Sequence, residues 1–77
     1  MNDYKSLKEL YDALIPAFNI KLKELKYKGI DNITRDDIWN YLKDSKWKTA
    51  TNLGISDMVS DIMNVSYIDL VRYKNIS

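Results

Sequence analysis

The chain is predicted to fold as an all-α, small four-helix domain, and three observations predict it. Apolar residues recur at steps of three and four along four separate segments. No segment sustains the apolar–polar alternation of a half-buried strand with hairpin turns. Residues that start and stop helices punctuate the segments: Gly29, Thr34, Gly54 and Ser66. The 77 residues make one domain spanning 1–77, and a hydrophobic fraction of 45% argues for a packed core rather than disorder. A chain this short buries only about 60% of its unfolded surface, so it is marginally stable. With no cysteine, it has no disulfide to staple it.

The first helix is predicted from about Asp3 to Lys28. Tyr4, Leu7, Tyr11, Leu14, Phe18, Leu22 and Leu25 fall on one narrow stripe. Pro16 interrupts the pattern, because proline removes a hydrogen bond and crowds the carbonyl four residues back. The stripe nevertheless keeps its phase, which predicts one long, Pro-kinked helix. The alternative is a break at Ile15, since the residue before proline disfavours α geometry. Lysines in the last turn followed by Gly29 form a C-terminal signal, and Ile30 and Ile33 are expected to tuck inward.

Thr34-Arg35-Asp36-Asp37 opens the second helix as a near capping box. Asp37 is shorter than the usual Glu or Gln, so the reciprocal bond is not expected. Ile38, Trp39, Tyr41 and Leu42 supply the apolar side, and the helix is expected to fade near Asp44 or Ser45. Trp39 reads as core. Residues 46–53 read as a loop, with Trp47 between Lys46 and Lys48 as either core or contact surface. A third helix begins near Gly54, with Ile55, Met58, Val59, Ile62 and Met63 on one face. Ser66-Tyr67-Ile68-Asp69 repeats the near capping box and opens a short fourth helix, and the tail Lys74 to Ser77 is expected to fray.

Much chemistry is excluded by composition. Without histidine or cysteine, the common nucleophile–base pairs and the zinc sites built on these residues are missing. Ser45 beside Lys46 lies in no catalytic motif. Asp57 and Asp61 stand one helical turn apart, but two carboxylates are too few for a calcium or magnesium site, so they read as a solvated face. Two glycines leave no phosphate-cradling loop. No catalytic residue, metal or cofactor is therefore expected. The longest apolar stretch, Ala13 to Phe18, is too short to span a bilayer, and the N-terminus lacks a signal-peptide core, so the default is a cytoplasmic protein.

A net charge of +1 gives no global pull toward nucleic acid, yet the charge is uneven. Residues 21–28 hold four lysines against one glutamate, net +3, and residues 43–48 three lysines against one aspartate, net +2. The plain reading is solvated helix faces. The functional reading is a contact track of Lys43, Lys46, Trp47 and Lys48, extended by Lys21, Lys23, Lys26 and Lys28. Lysines beside an aromatic ring suit single-stranded RNA. They equally suit an acidic protein. Met58, Met63, Tyr67 and Tyr73 are a second candidate set, for a partner interface or self-association, against a plain core role. A helix–turn–helix built on the last two helices is a weaker alternative. Its recognition helix, Tyr67 to Asn75, offers Arg72, Lys74 and Asn75 but is otherwise largely apolar.

Gly29-Ile30, Ile33-Thr34, Ile38-Trp39-Asn40-Tyr41-Leu42 and Lys46-Trp47-Lys48, following the charged run Lys21 to Lys28, resemble the ComN-like bacterial post-transcriptional regulators. Met58-Val59-Ser60-Asp61-Ile62-Met63 and Ile68-Asp69-Leu70-Val71-Arg72-Tyr73 extend the match, which covers about residues 10–75 and accommodates Pro16. The family pattern tends to place a histidine in the third-helix region, and this chain has none. A function requiring that histidine would not carry over. The resemblance implies a non-enzymatic regulator acting at the level of messenger RNA, directly or through a partner, in the cytoplasm. It also implies a link to a coiled-coil scaffold protein at the cell pole or division site, which makes a protein-interaction adaptor the alternative function.

Overall fold

The first helix, α1, runs Leu7–Tyr27 in the computed structural model, which describes residues 7–49 and 53–76. The expected start at Asp3, the place of Tyr4 and the Leu7 side chain in the stripe, residues 50–52 of the expected loop and Ser77 of the tail lie outside the described residues. The helix passes through Pro16 and does not break at Ile15. The proline ring sits on the exposed side, where water can satisfy the carbonyl that loses its N–H partner. Leu14, Phe18 and Leu25 are buried as expected, but Tyr11 and Leu22 lie at the margin. The centre of the buried face is rotated toward Leu10, Ala17 and Lys21. The cause is α3, which docks beside α2 and widens the covered face of α1 to two neighbours.

Gly29 ends α1 with φ +83°, the left-handed conformation that favours glycine. The Ile30 N–H donates to the Leu25 carbonyl at 2.9 Å and the Gly29 N–H to the Lys26 carbonyl at 3.0 Å. These are the two bonds of a Schellman motif, and they fold Ile30 back against the core. Ile33 is buried, so both isoleucines of the connection turn inward.

Helix α2, Arg35–Leu42, starts at a complete capping box. The Thr34 hydroxyl accepts from the Asp37 N–H at 3.2 Å, and the Thr34 N–H donates to Asp37 Oδ2 at 2.8 Å. The reciprocal bond, not expected of so short a side chain, forms. The α2 coil does not fade at Asp44 or Ser45 either. It widens into a π-helical turn, Lys43–Trp47, closed by the Lys48 N–H on the Lys43 carbonyl at 2.9 Å. The reason is spacing. Ile38 and Leu42 are four apart, but the next core residue, Trp47, is five further on. A regular α-turn would aim Ser45 or Lys46 at the core, whereas one extra residue in the turn aims Trp47 there.

Helix α3, Ile55–Asn64, is capped at Gly54, whose N–H donates to Asp57 Oδ2 at 3.1 Å. Met58 and Ile62 face inward, and Val65 plugs the link to α4, Tyr67–Ile76. The Ser66 hydroxyl accepts from the Ile68 N–H at 3.3 Å. Helix α2 touches all three other helices, and α1 packs on α2 and α3. The core runs from Leu14, Phe18 and Leu25 through Ile38 and Leu42 to Ile62 and Leu70. The described residues form four helices and no strand, as the all-α reading predicts.

Candidate functional site

The turn after α2 gathers the residues that the sequence marks first. Trp47 is only 8% exposed. Its indole N–H donates to Asp61 Oδ2 at 2.9 Å, and its ring meets Trp39 edge to face at 5.7 Å between centroids. Trp39 continues the stack to Tyr11 at 5.3 Å and Phe18 at 6.5 Å. Trp39 itself is half-buried and packs on the core margin, so of the two tryptophans it is Trp47 that the core encloses. The contact reading of Trp47 is corrected accordingly. Its ring is no stacking platform, because the five-residue step from Leu42 rotates it inward. It serves as the peg on which the surrounding lysines hang.

Asp61 is the residue that sequence reasoning missed. Set down with Asp57 as a solvated face, it instead clamps the turn: Oδ2 takes the Trp47 indole and Oδ1 takes the Lys46 ammonium at 3.0 Å. Partial burial pushes the Asp61 carboxyl up, but the indole N–H and Lys46 outweigh it and hold it below the ordinary carboxylate range. Asp57 caps α3 rather than standing free. No local signal reveals the Asp61 clamp, because its partners lie fourteen and fifteen residues away. Asp44 is similarly engaged, accepting from the Tyr73 hydroxyl at 2.7 Å. Lys43, Lys46 and Lys48 remain exposed on this pinned turn. Beneath it a crevice of about 200 Å³ is lined by Tyr41, Lys46, Asp61, Asn64, Ser66 and Asp69 among others. Two carboxylates and one ammonium make it no anion hole.

The α1 lysines divide. Lys21 is 4% exposed, and its ammonium donates to Glu24 and to the Met63 carbonyl, each at 3.2 Å. It joins α1 to the end of α3, so its place in a surface track is corrected: the rotated core face takes it in. Lys23 and Lys26 are exposed and border a groove of about 340 Å³ floored by Leu22, Ile30 and Ile33. Lys28 lies over the Tyr67 ring at 5.8 Å. Tyr27 is 90% exposed.

The second candidate set also separates. Met58 is core and Met63 half-buried, so the accessible-interface reading of Met58 is corrected. Tyr73 packs on Tyr41 at 5.5 Å. Tyr67 is exposed, with Ile68 beside it. In α4 the Lys74 ammonium bonds Asp37 at 3.0 Å and the Asn32 carbonyl. That pairing removes one of the cations a helix–turn–helix reading would send into a groove. Asp37, partly buried but held by Thr34 and Lys74, also sits below its ordinary range. Among the described residues no group of three or more acidic side chains is placed to hold a metal ion. No described helix is long and apolar enough to cross a membrane.

The family model described as Post-transcriptional regulator matches residues 7–77. The chain is similar to the Post-transcriptional regulator ComN of Bacillus subtilis (strain 168), being 36% identical over 69 residues that cover 88% of this chain and 70% of that one. No solved structure matches it.

Proposed function

The chain belongs to the post-transcriptional regulator family, and from that premise we propose that it acts on messenger RNA without catalysing a reaction, holding single-stranded RNA against Lys43 and Lys48, while Lys46, paired with Asp61, helps to fix the turn between them. The family match over residues 7–77 carries this reading. The pinned turn supports it: the exposed lysines Lys43 and Lys48 stand on a backbone fixed by Trp47, Lys46 and Asp61. Lysines on a rigid turn lose less conformational freedom on binding than lysines on a loose loop. With Trp47 enclosed, affinity comes from phosphate neutralisation rather than ring stacking, so it falls steeply with salt.

Filter binding of a single-stranded RNA oligonucleotide across a salt series tests this. Lys43→Glu with Lys48→Glu is expected to weaken binding at least about ten-fold. It should also flatten the log–log salt dependence by roughly 1.4, the share of two single-strand phosphate contacts. Unchanged affinity overturns direct contact. The adaptor reading rests on Tyr67 and Ile68, two exposed apolar side chains at the start of α4. If Tyr67→Ala with Ile68→Ser abolishes regulation in cells while the lysine pair does not, the protein acts through a protein partner.

A further inference from the structure

The outer flank of α1 carries a second seam that the fold leaves uncovered. Ala13, Pro16, Ile20, Lys23 and Tyr27 follow one another at steps of three, four, three and four, the spacing of a helix–helix seam. All five are exposed, Ile20 at 56% and Tyr27 at 90%. Ile20 and Tyr27 are two of the four large hydrophobic side chains exposed among the described residues. This flank lies beside the face that covers α3, not on it, so among the described residues no packing accounts for its apolar side chains.

We propose that two copies of this chain pair through this flank, with their α1 helices antiparallel. Charge identifies the occupant and the direction. The exposed charges of α1 are Lys8, Glu9 and Asp12 in its first half, one positive against two negative, and Lys23, Glu24 and Lys26 in its second, two positive against one negative. A parallel pair sets like charges side by side. An antiparallel pair sets each acidic half on a basic half, and does so twice, because a two-fold interface repeats every contact.

The seam spacing then fixes the register. Ile20 of each copy packs on the partner's Pro16, Ala13 lies under the stem of the partner's Lys23, and Asp12 lies beside the partner's Lys26. Asn19 falls next to the two-fold axis. In the single chain, Asp12 pairs with Lys8 at 3.1 Å, one turn away and largely in water. Such a pair is worth little and leaves Asp12 free to change partners. The seam from Ala13 to Tyr27 is about 21 Å long, so the dimer is small and concentration-dependent. Lys43, Lys46 and Lys48 are not in this seam, so the inference stands apart from the RNA reading.

Sedimentation equilibrium over a concentration series tests the pairing, with circular dichroism to confirm that each variant stays helical. The wild-type chain is expected to dimerise. Ile20→Glu, Asp12→Lys and Lys26→Asp are each expected to weaken association about ten-fold or more, and Asp12→Lys combined with Lys26→Asp to restore it, since opposite charges meet again. A wild-type chain that sediments as a monomer throughout overturns the proposal, and so does a dimer that Ile20→Glu leaves unchanged. Failure of the double reversal to restore association overturns the antiparallel register. Because the chain has no cysteine, Asn19→Cys gives a second reading independent of core stability. It is expected to oxidise to a linked dimer where Arg72→Cys does not, and equal linkage at both positions overturns the seam.

Discussion

The two ends of α2 are secured in opposite ways. At the start, Thr34 and Asp37 exchange hydrogen bonds across three residues of continuous chain. At the far end the coil widens by one residue so that Trp47 can reach the core and Asp61 of α3. The first device is local and would form in an isolated helix start. The second exists only once α3 has docked. A local device tunes stability in small steps, whereas a long-range one decides whether the turn carrying Lys43, Lys46 and Lys48 has a fixed shape at all.

Removing the long-range peg is the strongest way to break this contrast. Trp47→Ala empties a buried aromatic site and is expected to cost about 3–5 kcal/mol. In a chain this short that leaves little of the folded state, measured by urea denaturation. Trp47→Phe keeps most of the ring packing but drops the indole N–H, leaving one Asp61 oxygen without its donor. It is expected to cost less than Trp47→Ala while still loosening the turn.

A middle-sized effect separates packing from the clamp. Asp61→Asn retains the volume of Asp61 but forfeits its charge, and is expected to cost about 1–3 kcal/mol near neutral pH, since charge-assisted bonds to the indole and Lys46 are lost. The sign with pH follows from the carboxyl's depressed value in the fold. Its contribution is complete above the ordinary carboxylate value of about 3.8 and is lost as pH falls through the lower folded value. The wild-type protein should therefore lose more stability between mildly acidic and strongly acidic buffer than Asp61→Asn does. Asp37, lowered by Thr34 and Lys74, keeps a similar acid dependence in both proteins. Parallel acid profiles for the two would remove Asp61 from the clamp.

What could be read in the sequence divides along the same line as the two ends of α2. The four helices, the Gly29 stop, the Thr34 start and the inward turn of Ile30 and Ile33 depend on chemistry within a few residues, and all are legible. The rotation of α1's buried face toward Lys21 was not, because it depends on where α3 lies. The enclosure of Trp47 was half legible. The step from Leu42 to Trp47 is five, one too many for an α-turn, and that misfit was the available signal for a π turn. Of the candidate site, the lysines of the 43–48 run were visible as charge. Asp61, which holds them in place, was hidden by its distance along the chain, as were the bond from Tyr73 to Asp44 and the pairing of Lys74 with Asp37.

The smallest expected effect belongs to the local end. Thr34→Ala removes the hydroxyl that takes the Asp37 N–H and is expected to cost about 1 kcal/mol, while Thr34→Ser keeps an oxygen in place and should cost little. Asp37→Ala should exceed Thr34→Ala, because Asp37 also holds Lys74 and so fastens α4 to the start of α2. Denaturation of the three variants measures the order. If Asp37→Ala costs no more than Thr34→Ala, the bond to Lys74 contributes nothing and the start of α2 is purely local. If it costs clearly more, even the end of α2 that the sequence reveals most plainly borrows part of its strength from a residue thirty-seven positions away.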